Sequence, residues 1–265
     1  MKRRKDRQSG FSLIEVIVTL VIVAILGAMM YSFFGQSITQ SSIPIFRLNA
    51  AGELNKVLEK ISADYEKKIH WFPGTVYPAN TIITPAVRTG FLYLTTGGGT
   101  SGTTEPSWPT TLSNTVNDNG ITWTAVQVAN RTANTSYLFN TVVYPGSGYR
   151  YRCTTAGTSG AGATVVWPAS GTVQDGTVNP FVVWTNIGQI PPLALKAAIG
   201  TELQDYSNAF GSYKVVQNRF ITFDGSHQEV ATALIPNDTD YGKYLKVSIG
   251  QAGTGETLTT LFVVW

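Results

Sequence analysis

Only one cysteine, Cys153, and two histidines, His70 and His227, occur in the 265 residues. A lone cysteine excludes an intramolecular disulfide, so an exported domain of this sequence must draw its stability from burial and backbone pairing. Cys153 accordingly reads as a small buried hydrophobe and not as a redox centre. Two histidines cannot build a His-rich metal site, and a Ser-His-Asp arrangement would depend on one of two unsupported candidates. No glycine pattern follows a strand and opens a helix as phosphate loops require, and Gly97-Gly98-Gly99 reads as loop. No catalysis, cofactor or metal is therefore expected. Basic clusters are also missing beyond the first ten residues. The formal charge of +3 rests on Lys2, Arg3, Arg4, Lys5 and Arg7, opposed there only by Asp6. The remainder is slightly acidic, which leaves a phosphate-neutralising nucleic-acid surface unsupported.

What is present is an apolar run. Val16 to Phe34 carries no charge and is long enough as a helix to cross a hydrocarbon layer of roughly 30 Å. The basic residues before it predict a cytoplasmic N-terminus with the rest of the chain outside. A secretory signal peptide would place a small-residue cleavage site after the apolar core, and none follows Phe34. Glu15 sits at the edge of the run, where an ionisable group costs roughly 2.5–3.5 kcal/mol on insertion scales and needs a partner. The plain alternative is an ordinary single-pass anchor with an incidental glutamate.

The basic leader, Gly10, Phe11 and Glu15 together resemble the prepilin signature of type IV pilins and type II secretion pseudopilins. The resemblance implies cleavage between Gly10 and Phe11 by a membrane-embedded prepilin peptidase, followed by N-methylation of Phe11. It also implies that Glu15 meets the terminal amine of a neighbouring pilin or pseudopilin subunit, since a buried carboxylate is tolerated when a cation enters the same dry environment. An inner-membrane assembly platform and its ATPase motor are implied partners. The bacterial inner membrane is the implied location before assembly, and a pilus or periplasmic pseudopilus the location after it.

The expected fold is α+β. Residues 1–10 form the removable leader, and 11–70 a long N-terminal helix, transmembrane over about 13–34. Its second half packs on an antiparallel β-sheet head. In that half Leu54, Val57, Leu58, Ile61 and Tyr65 recur at helical spacing, with Glu53, Lys56, Glu59, Lys60, Asp64 and Lys67 opposite. Lys67, Lys68, His70 and then Pro73-Gly74 close the helix, and Pro44 should kink or break it. Residues 191–265 supply a second helix through Leu195, Ile199, Leu203, Tyr206 and Phe210, ending at Gly211. Strands follow over 213–217, 219–223, 228–234, 244–249 and 257–265, separated by turn formers. Asp224, Asp238 and Asp240 lie in those turns, where turn chemistry explains them better than a calcium loop.

Residues 71–190 form a β-rich insertion with an internal repeat spaced at about 60 residues. Gly99-Thr100-Ser101-Gly102 matches Gly157-Thr158-Ser159-Gly160, and Trp108-Pro109 matches Trp167-Pro168. Thr115-Val116-Asn117-Asp118 matches Thr172-Val173-Gln174-Asp175, and Trp123 matches Trp184. The copies are expected over about 76–126 and 143–187, opened by Val76-Tyr77-Pro78 and Val143-Tyr144-Pro145. They resemble short Trp- and Gly-rich modules of phage tail fibres. Trp108, Trp123, Trp167 and Trp184 with Asp118 and Asp175 would suit a surface glycan, the indoles stacking on sugar rings and the carboxylates bonding hydroxyls. The competing reading makes the tryptophans the core of a small module. A bulky insert suits a minor or tip subunit of a type IV pilus. The alternatives are a type II secretion pseudopilin and a pilus-displayed adhesin.

Overall fold

A computed structural model describes residues 12–146, 148–162, 165–233, 243–251 and 255–263, leaving aside the side chains of 36–42. The chain forms two compact units, residues 1–52 and 53–265. Helix α1, Leu13–Ile69, contributes to both. It runs through Pro44, so the break expected there does not occur; a proline removes one intrahelical bond but leaves the turns on either side intact. In the first unit, Leu13 to Gly35 is apolar, long enough to span a membrane, and unburied.

In the second unit the helical periodicity is real. Leu54, Val57, Leu58, Ile61, Tyr65 and Ile69 are buried, while Lys56–Glu53 and Lys68–Asp64 ion pairs of 2.7 and 2.6 Å lie on the other face. The helix ends one residue short of His70, which bridges Thr84 in parallel.

The repeat region then folds twice in the same way. Copy one consists of β1 (Val76–Tyr77), β2 (Thr81–Ile83), β3 (Leu92–Thr95), β4 (Gly99–Thr100), β5 (Thr115–Asp118) and β6 (Ile121–Ala129). Copy two matches it strand for strand: β7 (Ser136–Tyr137), β8 (Thr141–Val143), β9 (Tyr149–Thr155), β10 (Gly157–Thr158), β11 (Thr172–Asp175) and β12 (Val182–Gln189). In each copy the first and fourth strands pair antiparallel. The second, third, fifth and sixth strands of both copies join one eight-stranded sheet. Its seam is parallel, Gln127-Val128-Ala129 of β6 lying against Thr141-Val142-Val143 of β8. The His70–Thr84 bridge places the end of α1 against copy one as β6 lies against copy two.

This equivalence corrects the expected start of copy two. Tyr137, not Tyr144, is the counterpart of Tyr77, and Val143 stands where copy one has Ile83. Short identical tripeptides are a poor guide to register when what must match is a strand and its partner.

Helix α2, Pro191–Ile199, follows with prolines in its first turn, and the C-terminal sheet completes the unit. That sheet contains β13 (Asp205–Asn208), β14 (Gly211–Phe223), β15 (Glu229–Ala231), β16 (Lys243–Gly250) and β17 (Thr257–Val263). The order is β13-β14-β16-β17 with β15 beside β14, all antiparallel. The second helix is shorter than its periodicity suggests. It stops at Gly200, at φ 105°, and the Tyr206 ring fills the space where a Cβ there would stand. Tyr206 therefore reaches the core from a strand, while Leu203 is exposed. The two strands expected over 213–223 are one strand, irregular between Val215 and Gln217. Leu195, Ile199, Tyr213, Val215, Phe220, Leu245, Val247, Ile249 and Phe262 close a single core on the buried stripe of α1. The Tyr65 hydroxyl donates to the Val263 carbonyl at 2.7 Å.

Candidate functional site

Gly10 and Phe11 lie outside the described residues. Ser12 caps α1: its carbonyl and its hydroxyl accept the Glu15 backbone N–H at 3.0 and 3.3 Å. Ser12-Leu13-Ile14-Glu15 is thus an S-x-x-E start, in which an acidic side chain at the third helical position also favours the positive end of the helix dipole. That spacing is legible in the sequence, and it gives Glu15 a part in starting the helix besides the docking role the resemblance implies. Glu15 is exposed, and among the described residues its carboxylate has no hydrogen-bond or ion-pair partner. Thr19 donates its hydroxyl to the Glu15 carbonyl at 2.9 Å. The segment therefore presents an exposed carboxylate at the head of an uncovered apolar helix. Such a surface is stable in lipid or against other apolar helices.

The second candidate is the set of aromatic and acidic residues in the repeats. Asp118 accepts from the Trp71 indole at 2.8 Å, the Trp123 indole at 3.1 Å and the Gly102 backbone at 2.7 Å. Asp175 accepts from the Trp184 indole at 3.1 Å and the Gly160 backbone at 3.0 Å. Arg131 stands in the place of Trp71, donating Nε at 3.1 Å and Nη2 at 2.8 Å to Asp175. Burial pushes the Asp175 carboxyl upward, but the bonds from Arg131, Trp184 and Gly160 outweigh it and hold it below the ordinary carboxylate range. A Cβ at Gly102 would meet the Asp118 oxygen at 2.8 Å, so glycine there lets the backbone N–H reach the carboxylate.

Around each carboxylate the same bonds recur. Ser101 donates to the Phe72 carbonyl and Ser159 to the Thr132 carbonyl, both at 2.6 Å. The Tyr77 and Tyr137 hydroxyls donate to the His70 and Asn130 carbonyls at 3.0 and 2.7 Å. Tyr77 meets Trp123 edge to face with centroids 5.2 Å apart, and Tyr137 meets Trp184 likewise at 5.0 Å.

These contacts decide the roles of the residues singled out for glycan contact. Trp123 and Trp184 are fully buried, Asp118 and Asp175 nearly so, and their polar atoms bond one another. A ring with no exposed face cannot stack on a sugar, so each Trp–Asp pair is the structural clasp of its module. Trp108 and Trp167 are half-buried, tilted against Tyr93 and Tyr151 at 4.3 and 4.6 Å, and keep some surface. Trp71 and Arg131 escaped the sequence reading because they occupy equivalent positions without being the same residue type.

The remaining candidates do not converge. Cys153 is fully buried, and that burial pushes its thiol up to about 11. Asp224 accepts the backbone N–H groups of Ser226 and Gln228 at 2.8 and 2.9 Å, closing a turn. Asp238 and Asp240 lie outside the described residues. His70 pairs with Glu66 at 3.4 Å, and His227 belongs to the Asp224 turn. Among the described residues no three His, Cys, Asp or Glu side chains gather as a metal site would require.

No curated protein and no solved structure matches the chain. Residues 5–31, ending within the apolar half of α1, match the prokaryotic N-terminal methylation motif, the signature of type IV pilins and pseudopilins.

Proposed function

We propose that this chain is a pilin-like structural subunit, cleaved by prepilin peptidase between Gly10 and Phe11, methylated at Phe11, and assembled as a minor or tip component of a type IV pilus. The observation that carries the reading is the methylation motif over residues 5–31, continuous with an uncovered apolar helix over Leu13–Gly35. The leader charges favour a cytoplasmic N-terminus and an external head. In lipid the helix is anchored; in a filament the same surface meets other subunits' helices. Moving from one to the other brings no hydrophobic gain, so an assembly platform driven by an ATPase is part of the proposal. Glu15 selects the docking register by meeting the N-terminal amine of a neighbour. The insertion over 71–190 supports a minor or tip position, because a bulky head is harder to repeat along a tightly packed shaft.

Mass spectrometry of sheared extracellular filaments and of the membrane fraction tests this, searching for a peptide that begins at N-methylated Phe11. Its presence in sheared material at low stoichiometry supports a minor pilus subunit, and dominance of the filament overturns the minor role. Confinement of the processed peptide to membrane and periplasm favours a type II secretion pseudopilin instead. Glu15→Val should leave processing and membrane insertion intact while lowering incorporation into filaments at least about tenfold, the loss of an ion pair in a dry environment.

A further inference from the structure

The two copies share one backbone plan but differ on one face of the sheet. In copy one the third strand turns Leu92 and Leu94 to that face, on either side of Tyr93, whose hydroxyl donates to the Pro109 carbonyl. In copy two the corresponding strand carries Arg150 and Arg152 on either side of Tyr151, whose hydroxyl donates to the Pro168 carbonyl. The registers agree: Leu94 lies between Ile82 and Thr124, and Arg152 between Val142 and Thr185. Leu94, Ile82, Val126, Val142 and Ile187 form an apolar cluster with Leu92 and Tyr144 against it. Copy one thus shows that leucine satisfies these positions.

Both guanidinium groups are short of partners. Arg150 is 8% exposed, and its Nε is buried with no hydrogen-bond acceptor. The Arg152 Nε is likewise unpaired; its Nη1 makes one 3.4 Å bond to Asn140, and the group lies 5.9 Å above the Phe139 ring. Among the described residues no carboxylate pairs with either. Burial disfavours the charged form of each, partly offset at Arg150 by Tyr144 and at Arg152 by Cys153. The Arg150 guanidinium reaches towards Gly188, where its Nη2 would stand 3.9 Å from a Cβ built on that glycine.

A buried cation beside a half-buried one, neither paired with a carboxylate among the described residues and both at positions where the sister module is content with leucine, calls for an anion. We propose that copy two carries an oxyanion-binding site, in which Arg150 and Arg152 receive a carboxylate or phosphate group from outside the chain. Guanidinium forks suit such groups because two N–H donors match two oxygens.

The test uses the full-length chain in detergent, comparing thermal unfolding in potassium chloride, acetate, phosphate and glucuronate at equal ionic strength. The wild type should gain roughly 3 °C or more with saturating phosphate or acetate relative to chloride. A greater gain with glucuronate than with acetate assigns the site to a sugar-borne carboxylate; an equal gain assigns it to the bare oxyanion. R150L/R152L, which installs the copy-one residues, should fold and lose the gain, with phosphate binding at least about tenfold weaker by calorimetry. If the double variant does not fold, R152L alone is measured, with the same expected weakening. No oxyanion-specific gain in the wild type, or an equal gain in the folded leucine variant, overturns the site.

Discussion

Copy one and copy two of the insertion reach the same fold with different chemistry at two places. Around Asp118 the third donor is a neutral indole from Trp71; around Asp175 it is the cation of Arg131. On the sheet face away from Tyr93 and Tyr151, Leu92 and Leu94 give way to Arg150 and Arg152. The strand plan, the buried tryptophan, the glycine N–H and the serine bridge are unchanged. The module therefore requires a filled carboxylate and a packed aromatic pair, and is indifferent to whether the final donor is charged. Unsatisfied buried polar atoms are costly whatever their partner's type, which is why the geometry persists while the residue changes.

The strongest way to break the equivalence is to remove each central tryptophan. Trp123→Ala and Trp184→Ala should each cost about 3–5 kcal/mol, since each empties a fully buried aromatic site, and urea unfolding followed by fluorescence should show similar losses. A loss confined to one variant would mean that only one copy is a cooperative part of the fold. Next comes the clasp donor. Arg131→Ala should cost about 3 kcal/mol by stranding a buried carboxylate, whereas Arg131→Trp, borrowing the copy-one solution, should recover at least about 1 kcal/mol of it. If the tryptophan variant is no better than alanine, the two donors are not interchangeable.

Acid sharpens the comparison further. The Asp175 carboxyl is held below its ordinary range, so its stabilisation is present above the unfolded value of about 3.9 and fades as pH falls from there through the lower folded value. Between pH 5 and pH 2 the wild type should lose more urea stability than Arg131→Trp, which lacks the cation; equal losses would place the acid sensitivity elsewhere. The smallest effect is expected from Ser101→Ala and Ser159→Ala, each about 1 kcal/mol for the lost bridge between two backbone segments. Matching thermal shifts would support equivalent bridges, and an effect in one copy alone would not.

Much of this was legible beforehand. The helical spacing from Leu54 to Tyr65 marked the buried stripe of α1, and paired Trp-Pro, Thr-Val-x-Asp and Gly-Thr-Ser-Gly segments marked a duplication. Of the identical residues, the serine and the second glycine of Gly-Thr-Ser-Gly, the aspartate and the later tryptophan are the ones that bury or clasp. What escaped was whatever matches in role but not in type: Trp71 with Arg131, Leu92 with Arg150. Val143-Tyr144-Pro145 misled because it matches in type but not in role. The second helix was read too long because Tyr206 and Phe210 fit a helical period, yet they reach the same core from β13 and the turn after it.

By itself the sequence determined the N-terminal character of the protein. A basic leader, a Gly-Phe junction, a glutamate and an apolar run are local facts whose meaning depends on the solvent they meet and not on distant contacts. Only the tertiary structure decided whether Trp123 and Trp184 face a ligand or a core, and that Arg150 stands buried and Arg152 half-buried with no paired carboxylate among the described residues. Burial and pairing belong to segments far apart in the chain, and strand register brings those segments together.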